Sequence, residues 1–167
     1  MDVANSDPNI IYVGTGSDGY RSNVSIGKGV WKSADAGKTW KHVGLKDVGN
    51  IGGVRVHPSN PNIAFVAAIG DPFRPTNARG IYRTTDGGAS WTRSLFINDT
   101  TGVSDLAFDP KNPDIIFAGT YQRMRHVGQM IGGGPDGGVF KTINAGKSWN
   151  KLTNGLPPGE VGRIALA

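Results

Sequence analysis

An all-β fold made of a repeated four-stranded antiparallel unit is predicted for this 167-residue chain, and three observations predict it. A stretch of 12 residues occurs three times. Turn formers are abundant, with 26 Gly and 10 Pro, and they fall between short runs rich in Val, Ile, Phe, Tyr and Trp. No window carries a sustained 3.6-residue apolar period, so helices are expected to be scarce.

The repeat defines the unit. Gly29-Val30-Trp31-Lys32-Ser33-Ala34-Asp35-Ala36-Gly37-Lys38-Thr39-Trp40 returns as Gly80 to Trp91 and again as Gly138 to Trp149. Trp40 to Trp91 is 51 residues and Trp91 to Trp149 is 58. A second marker precedes each copy, in Asp7-Pro8-Asn9, Asn60-Pro61-Asn62 and Asn112-Pro113-Asp114, each followed by an apolar run. In the middle copy four strand-like segments, A to D, run over 53–57, 63–68, 80–84 and 90–96. Four antiparallel strands in a unit of about 50 residues make the blade of a β-propeller. The blades divide at about 1–50, 51–101 and 102–160, and 161–167 reads as the first strand of a next or partner blade.

Between strands C and D each copy carries a hydroxyl residue, an Asx residue, a glycine, a second hydroxyl and a tryptophan. These are Ser33, Asp35, Gly37, Thr39 and Trp40; Thr84, Asp86, Gly88, Ser90 and Trp91; and Thr142, Asn144, Gly146, Ser148 and Trp149. An Asp in a tight turn accepts backbone N–H groups, Gly takes a positive φ, and Trp fills the space between blades, so all three indoles are expected buried in equivalent places. Asp35 and Asp86 could alternatively be catalytic or calcium-binding, but repetition in every blade favours structure, and Asn144 could not act as an acid or base.

On these residues the chain resembles Asp-box, or bacterial neuraminidase repeat, proteins, with its nearest likeness among bacterial sortilin-like propellers often labelled exo-sialidase or glycosyl hydrolase. Tyr12-Val13-Gly14-Thr15-Gly16 and Trp40 to Leu45 add to the likeness, which covers nearly the whole chain. It implies a propeller fold and an extracytoplasmic setting. It leaves function open, because the same repeat serves enzymes, receptors and assembly factors.

Aligning the Pro-Asn turns places Ala4, His57, Asp109 and Ala167 at equivalent positions. The first blade thus lacks most of a strand A, while the chain closes on a strand A. Propellers usually close with about 4 to 8 blades, so three alone would leave apolar faces in water. Either the chain is a piece of a longer protein whose further blades cover them, or two copies form a six-bladed, strand-exchanged homodimer.

Composition narrows the chemistry. The formal net charge is +5, from 18 Lys plus Arg against 13 Asp plus Glu, and is read as ordinary basicity rather than nucleic-acid binding. With 0 Cys there is no disulfide framework or thiolate site. His42, His57 and His126 stand apart without ligand spacing, so no metal is expected, and no cofactor is implied. His57 before Pro58 reads as a turn residue. Gly132-Gly133-Gly134-Pro135 lacks the Lys-Ser/Thr and the helix of a phosphate loop. Neither a signal-peptide pattern nor a membrane span is read in the chain as given.

If the blades follow the plan of the proteins they resemble, the Asp-box and Pro-Asn turns share one face and the B-to-C connections share the other. Those connections run over 16–28, 70–79 and 121–137. Candidate ligand contacts there are Asp18, Tyr20 and Arg21; Arg74; and Arg123, Arg125 and His126. Arg forks beside aromatic rings suit carboxylates, phosphates and sugar rings. Asp105 and Arg163 align with Gly53 and either view the central channel or pair with each other or with adjacent blades. Phe73-Arg74-Pro75 is a poor match to a sialidase Phe-Arg-Ile-Pro element, and Asp18 and Asp105 are the nearest pair of carboxylates for a glycosidase. The expectation is a non-catalytic binding or assembly module with a protein or glycan ligand. The alternative is part of a sialidase-like or xyloglucanase-like glycoside hydrolase whose catalytic set is incomplete in this chain.

Overall fold

The structure is a computed structural model that describes residues 1–17 and 24–167. Among these residues there are thirteen strands and no helix, hence none long and apolar enough to cross a membrane. The strands form three antiparallel sheets that follow one another along the chain.

The first sheet takes β1 (Asp2–Val3), β2 (Ile11–Gly14), β3 (Val30–Ser33) and β4 (Lys41–His42) in sequence order. The second takes β5 (Asn50–His57), β6 (Asn60–Gly70), β7 (Gly80–Thr84) and β8 (Thr92–Leu95), also in order. The third takes β9 (Thr101–Phe108), β10 (Ile116–His126), β12 (Gly138–Thr142) and β13 (Asn150–Lys151), and β11 (Gln129–Gly132) adds a fifth strand beside the outer half of β10. These are the blades of a partial propeller.

Strand β6 shows why the sheets stack. Side chains alternate across a strand, and here Ala64, Val66 and Ala68 join Tyr12, Val30, Val54 and Val56 in one core. Phe65 and Ala67 instead join Ile81, Val103, Leu106 and Ile116 in a second core on the other face. A strand apolar on both faces needs a neighbour on each side, and the flanking sheets supply them.

The two expected turns of each blade do share a face, and they are bonded to each other. The amides of Ala36, Gly87 and Ala145 in the boxes donate to the carbonyls of Asn9, Asn62 and Asp114 in the Pro-Asn turns, at 3.0, 2.9 and 2.9 Å.

Three expectations change. The tryptophans are not equally buried: Trp91 and Trp149 are partly buried, whereas Trp40 is 40% exposed. Each of the first two leans on the sheet before its own, Trp91 donating to the Val43 carbonyl and Trp149 to Ser94 Oγ, while Trp40 Nε1 donates to Gly37 within its own box. The stretch 121–137 is not an open connection, because β10 continues to His126 and pairs with β11. Its outer half gains further partners where Arg123 N donates to Thr100 O and Arg125 N to Pro72 O. Finally, 161–167 forms no regular strand: Val161 makes one isolated bridge to Gly134, and side-chain tethers hold the rest, Ser104 Oγ donating to Ile164 O and Leu166 N to Asp105 Oδ2. At the other end β1 is two residues long where β5 and β9 are eight.

Candidate functional site

The two carboxylates of the boxes, Asp35 and Asp86, are fully engaged. Asp35 Oδ1 accepts from Ser33 Oγ at 2.7 Å and from Thr39 N at 2.8 Å, and Oδ2 accepts from Thr39 Oγ1 at 2.6 Å. Asp86 repeats this with Thr84 Oγ1, Ser90 N and Ser90 Oγ. In the third box Asn144 Oδ1 keeps the bonds from Thr142 Oγ1 and Ser148 N, while its Nδ2 donates to Ser148 Oγ, reversing the last bond. The Thr39 hydroxyl and amide, with Ser33, hold the Asp35 carboxyl at about 2, and Ser90 chiefly drives Asp86 lower still. Hydroxyls and amides that consume both oxygens suit a turn lock and leave little capacity for proton transfer at neutral pH.

The opposite, loop face is built by the B-to-C connections and the D-to-A connections. Two buried polar side chains anchor it. Asn50 takes Gly27 N on Oδ1 at 3.0 Å and gives Nδ2 to Ser17 O at 2.8 Å, clamping both ends of the first connection. Arg79 is completely buried and donates to Asp99 O, Ile69 O, Asp71 O and Arg123 O at 2.8, 2.6, 2.6 and 3.1 Å. Burial lowers its pKa to about 10, with Asp71 and Asp99 opposing, so it stays charged at neutral pH.

Of the residues singled out from the sequence, Asp18, Tyr20 and Arg21 lie outside the described residues. Arg74 is exposed and ion-paired through Nε to Asp71 Oδ2 at 2.9 Å. Arg123, Arg125 and His126 lie on β10 rather than on a loop; Arg123 is buried, Arg125 half-buried and His126 exposed. The 71–75 segment runs beside this part of β10, since Pro72 O accepts Arg125 N at 2.6 Å and Arg79 binds Asp71 O and Arg123 O together. Phe73 on the 71–75 segment, Val127 in the turn after β10 and Met130 on β11 are exposed apolar side chains.

Asp105 and Arg163 are not part of this group. Asp105 pairs with Arg55 of the second sheet at 3.0 Å, accepts Leu106 N on the same oxygen, and takes Leu166 N on the other. Its carboxylate sits 3.5 Å from where a Cβ on Gly53 would lie, so of the expected alternatives Asp105 takes the pairing with the adjacent blade. Arg163 is exposed and lines a groove of about 460 Å³ with Leu152, Leu156 and Ile164. Among the described residues no three His, Cys, Asp or Glu side chains cluster as a metal site would require.

Sequence reasoning missed Arg79 and Asn50. Arg79 directly precedes the glycine that opens strand C, a place held by exposed Lys28 in the first blade and by Gly137 in the third. Repetition therefore offered no signal for it.

Comparison with known proteins follows the fold. The Sortilin-Vps10 family model, described as sortilin, neurotensin receptor 3, matches residues 28–158. Vacuolar protein sorting/targeting protein 10 of Sordaria macrospora is 34% identical over 120 residues, covering 68% of this chain and 7% of that protein. Among solved structures, an ancestral GH74 enzyme superposes with a TM-score of 0.64 at 25% identity, covering 90% of this chain and 17% of that one. The GH74 enzyme of Niastella koreensis also gives 0.64, at 20% identity, over 92% of this chain and 21% of its own. The chain thus spans a small part of the length of each.

Proposed function

This chain belongs to the Sortilin-Vps10 family, and we propose that it is a non-catalytic binding module whose ligand meets the loop face. One contrast carries the reading. In the boxes the Asp35 and Asp86 carboxylates are consumed by their own turns, whereas the loop face places Arg74, His126, Phe73 and Met130 in solvent on a frame anchored by buried polar groups. Surfaces of that kind, variable loops on a repeated scaffold, are where binding is ordinarily placed. Arg and aromatic side chains there suit a protein or glycan ligand bearing carboxylate, phosphate or sugar groups.

The second reading is part of a glycoside hydrolase, favoured by the likeness to GH74 enzymes. Against it, Asp105 is committed to Arg55 and to two backbone amides. A glycan array run with a hydrolysis screen on the full-length parent separates the two. Binding without turnover, weakened by Arg74→Ala, supports the module, and turnover of a bound glycan overturns it. An extracytoplasmic location is part of the proposal and rests on the family; a parent gene without an export signal would reverse it. Further blades, from the same polypeptide or a second copy, are proposed to cover the open faces of the first and third sheets.

A further inference from the structure

We propose that Arg79 is the positioning residue of the loop face, a single buried guanidinium that fastens the second and third blades' connections into one unit. The proposal rests on the binding reading only for its consequence, because what Arg79 holds is visible in its contacts.

Its four close acceptors come from separate places in the chain. Ile69 O lies one residue before the end of strand β6, Asp71 O lies in the B-to-C connection, Asp99 O lies in the D-to-A connection, and Arg123 O belongs to β10 of the next sheet. Every one is a backbone carbonyl, so Arg79 ties main chain to main chain across two strands and two connections. A planar guanidinium can address several acceptors in fixed directions, which an ammonium cannot. The backbone makes room for it: Gly70 has φ +88°, and a Cβ there would stand 2.5 Å from Arg79 Cγ. Direct bonds tie the same segments together, with Thr76 N on Asp99 O, Arg123 N on Thr100 O and Arg125 N on Pro72 O. Arg79 is their common hub.

Removing the guanidinium takes a donor from the buried Ile69 and Arg123 carbonyls and from Asp71 O, while Asp99 O keeps Thr76 N, and the least costly response is for the connections to open to water. Strands β6 and β7 keep their ladder from Ala64↔Thr84 to Ala68↔Gly80, so the opening is local. Arg74 and the outer half of β10, the proposed ligand contacts, lie on the segments that loosen.

Hydrogen exchange read by mass spectrometry on the full chain tests this without a ligand. In Arg79→Met, amides of 71–78, 98–101 and 123–132 should exchange faster by about tenfold or more, while β7 and the 84–91 box keep their protection. Arg79→Lys, which keeps the charge but not the fork, should fall between. Acceleration spread evenly over β5 to β8, or none, would overturn the proposal and leave Arg79 as ordinary core support. Should Arg79→Met not fold, exchange of the wild-type chain under conditions where each opening is recorded decides instead. The three segments should open together, and independent opening counts against the hub. Failure of the glycan array with these exchange results intact would sink the binding reading alone.

Discussion

Trp91 Nε1 donates to the carbonyl of Val43 at 2.6 Å, joining the box of the second sheet to the end of the first. Replacing Trp91 with Phe keeps most of the apolar contact and deletes the donor, leaving Val43 O unpaired. We expect a loss of about 1 kcal/mol in the denaturant midpoint analysis. Trp40→Phe, in an exposed side chain whose indole donates within its own box, should shift the midpoint far less.

The third box shows what an amide does in place of a carboxylate. Because Asn144 keeps both oxygen bonds and reverses the third, Asp86→Asn should retain the turn with only a small change in unfolding midpoint. Asp86→Ala, which loses all three, should lower it clearly. A hydrolytic activity of the parent abolished by Asp86→Asn would instead give that carboxylate a chemical role.

Acid should act on two boxes and spare the third. Asp35 and Asp86 both have carboxyl pKa values depressed in the folded state, so their contribution is present above the ordinary range near 4 and is lost as pH falls through the folded values. For Asp35 that value is about 2, and for Asp86 it is lower. Unfolding midpoints measured from pH 5 downward should therefore fall toward pH 2, and the double variant Asp35→Asn with Asp86→Asn should flatten that limb.

Ala36 and Ala145 hold φ of 58° and 54° in their boxes, where the second box has Gly87 at 74°. A left-handed Ala is penalised by about 1–2 kcal/mol, partly offset by the greater chain entropy that Gly loses on folding. Ala145→Gly should raise stability by up to about 1 kcal/mol by thermal melting. A decrease would mean that the methyl makes contacts worth more than the strain.

The Trp91 and Trp149 contacts also predict how copies meet. Each indole reaches the residue three places after the preceding box tryptophan, Val43 or Ser94, and the corresponding residue after Trp149 is Leu152, in the groove of about 460 Å³. With Trp40 exposed at the other end, the chain should associate head to tail, its scattering mass rising with concentration and falling in Leu152→Asp. Deletion of Val161 to Ala167 should disturb this, because it releases Ser104 and Asp105 from their bonds to Ile164 and Leu166. A stable monomer indifferent to both changes would show that the groove and the terminal segment are idle.

The sequence alone determined the all-β class, the repeated blade and the turn chemistry, because these depend on local periodicity and on residues acting within a few positions of each other. Ser33, Asp35 and Thr39 close their bonds inside one turn, and so the repeat exposes them. Only the tertiary structure decided which tryptophan is covered, that Arg123 to His126 extend a strand, and that Asp105 pairs with Arg55. It also decided that Arg79 is buried, since its acceptors come from up to 44 residues away and no pattern of neighbours encodes them. Bonds that span blades depend on how the sheets stack, and stacking is a sum over many side chains that no single repeat contains.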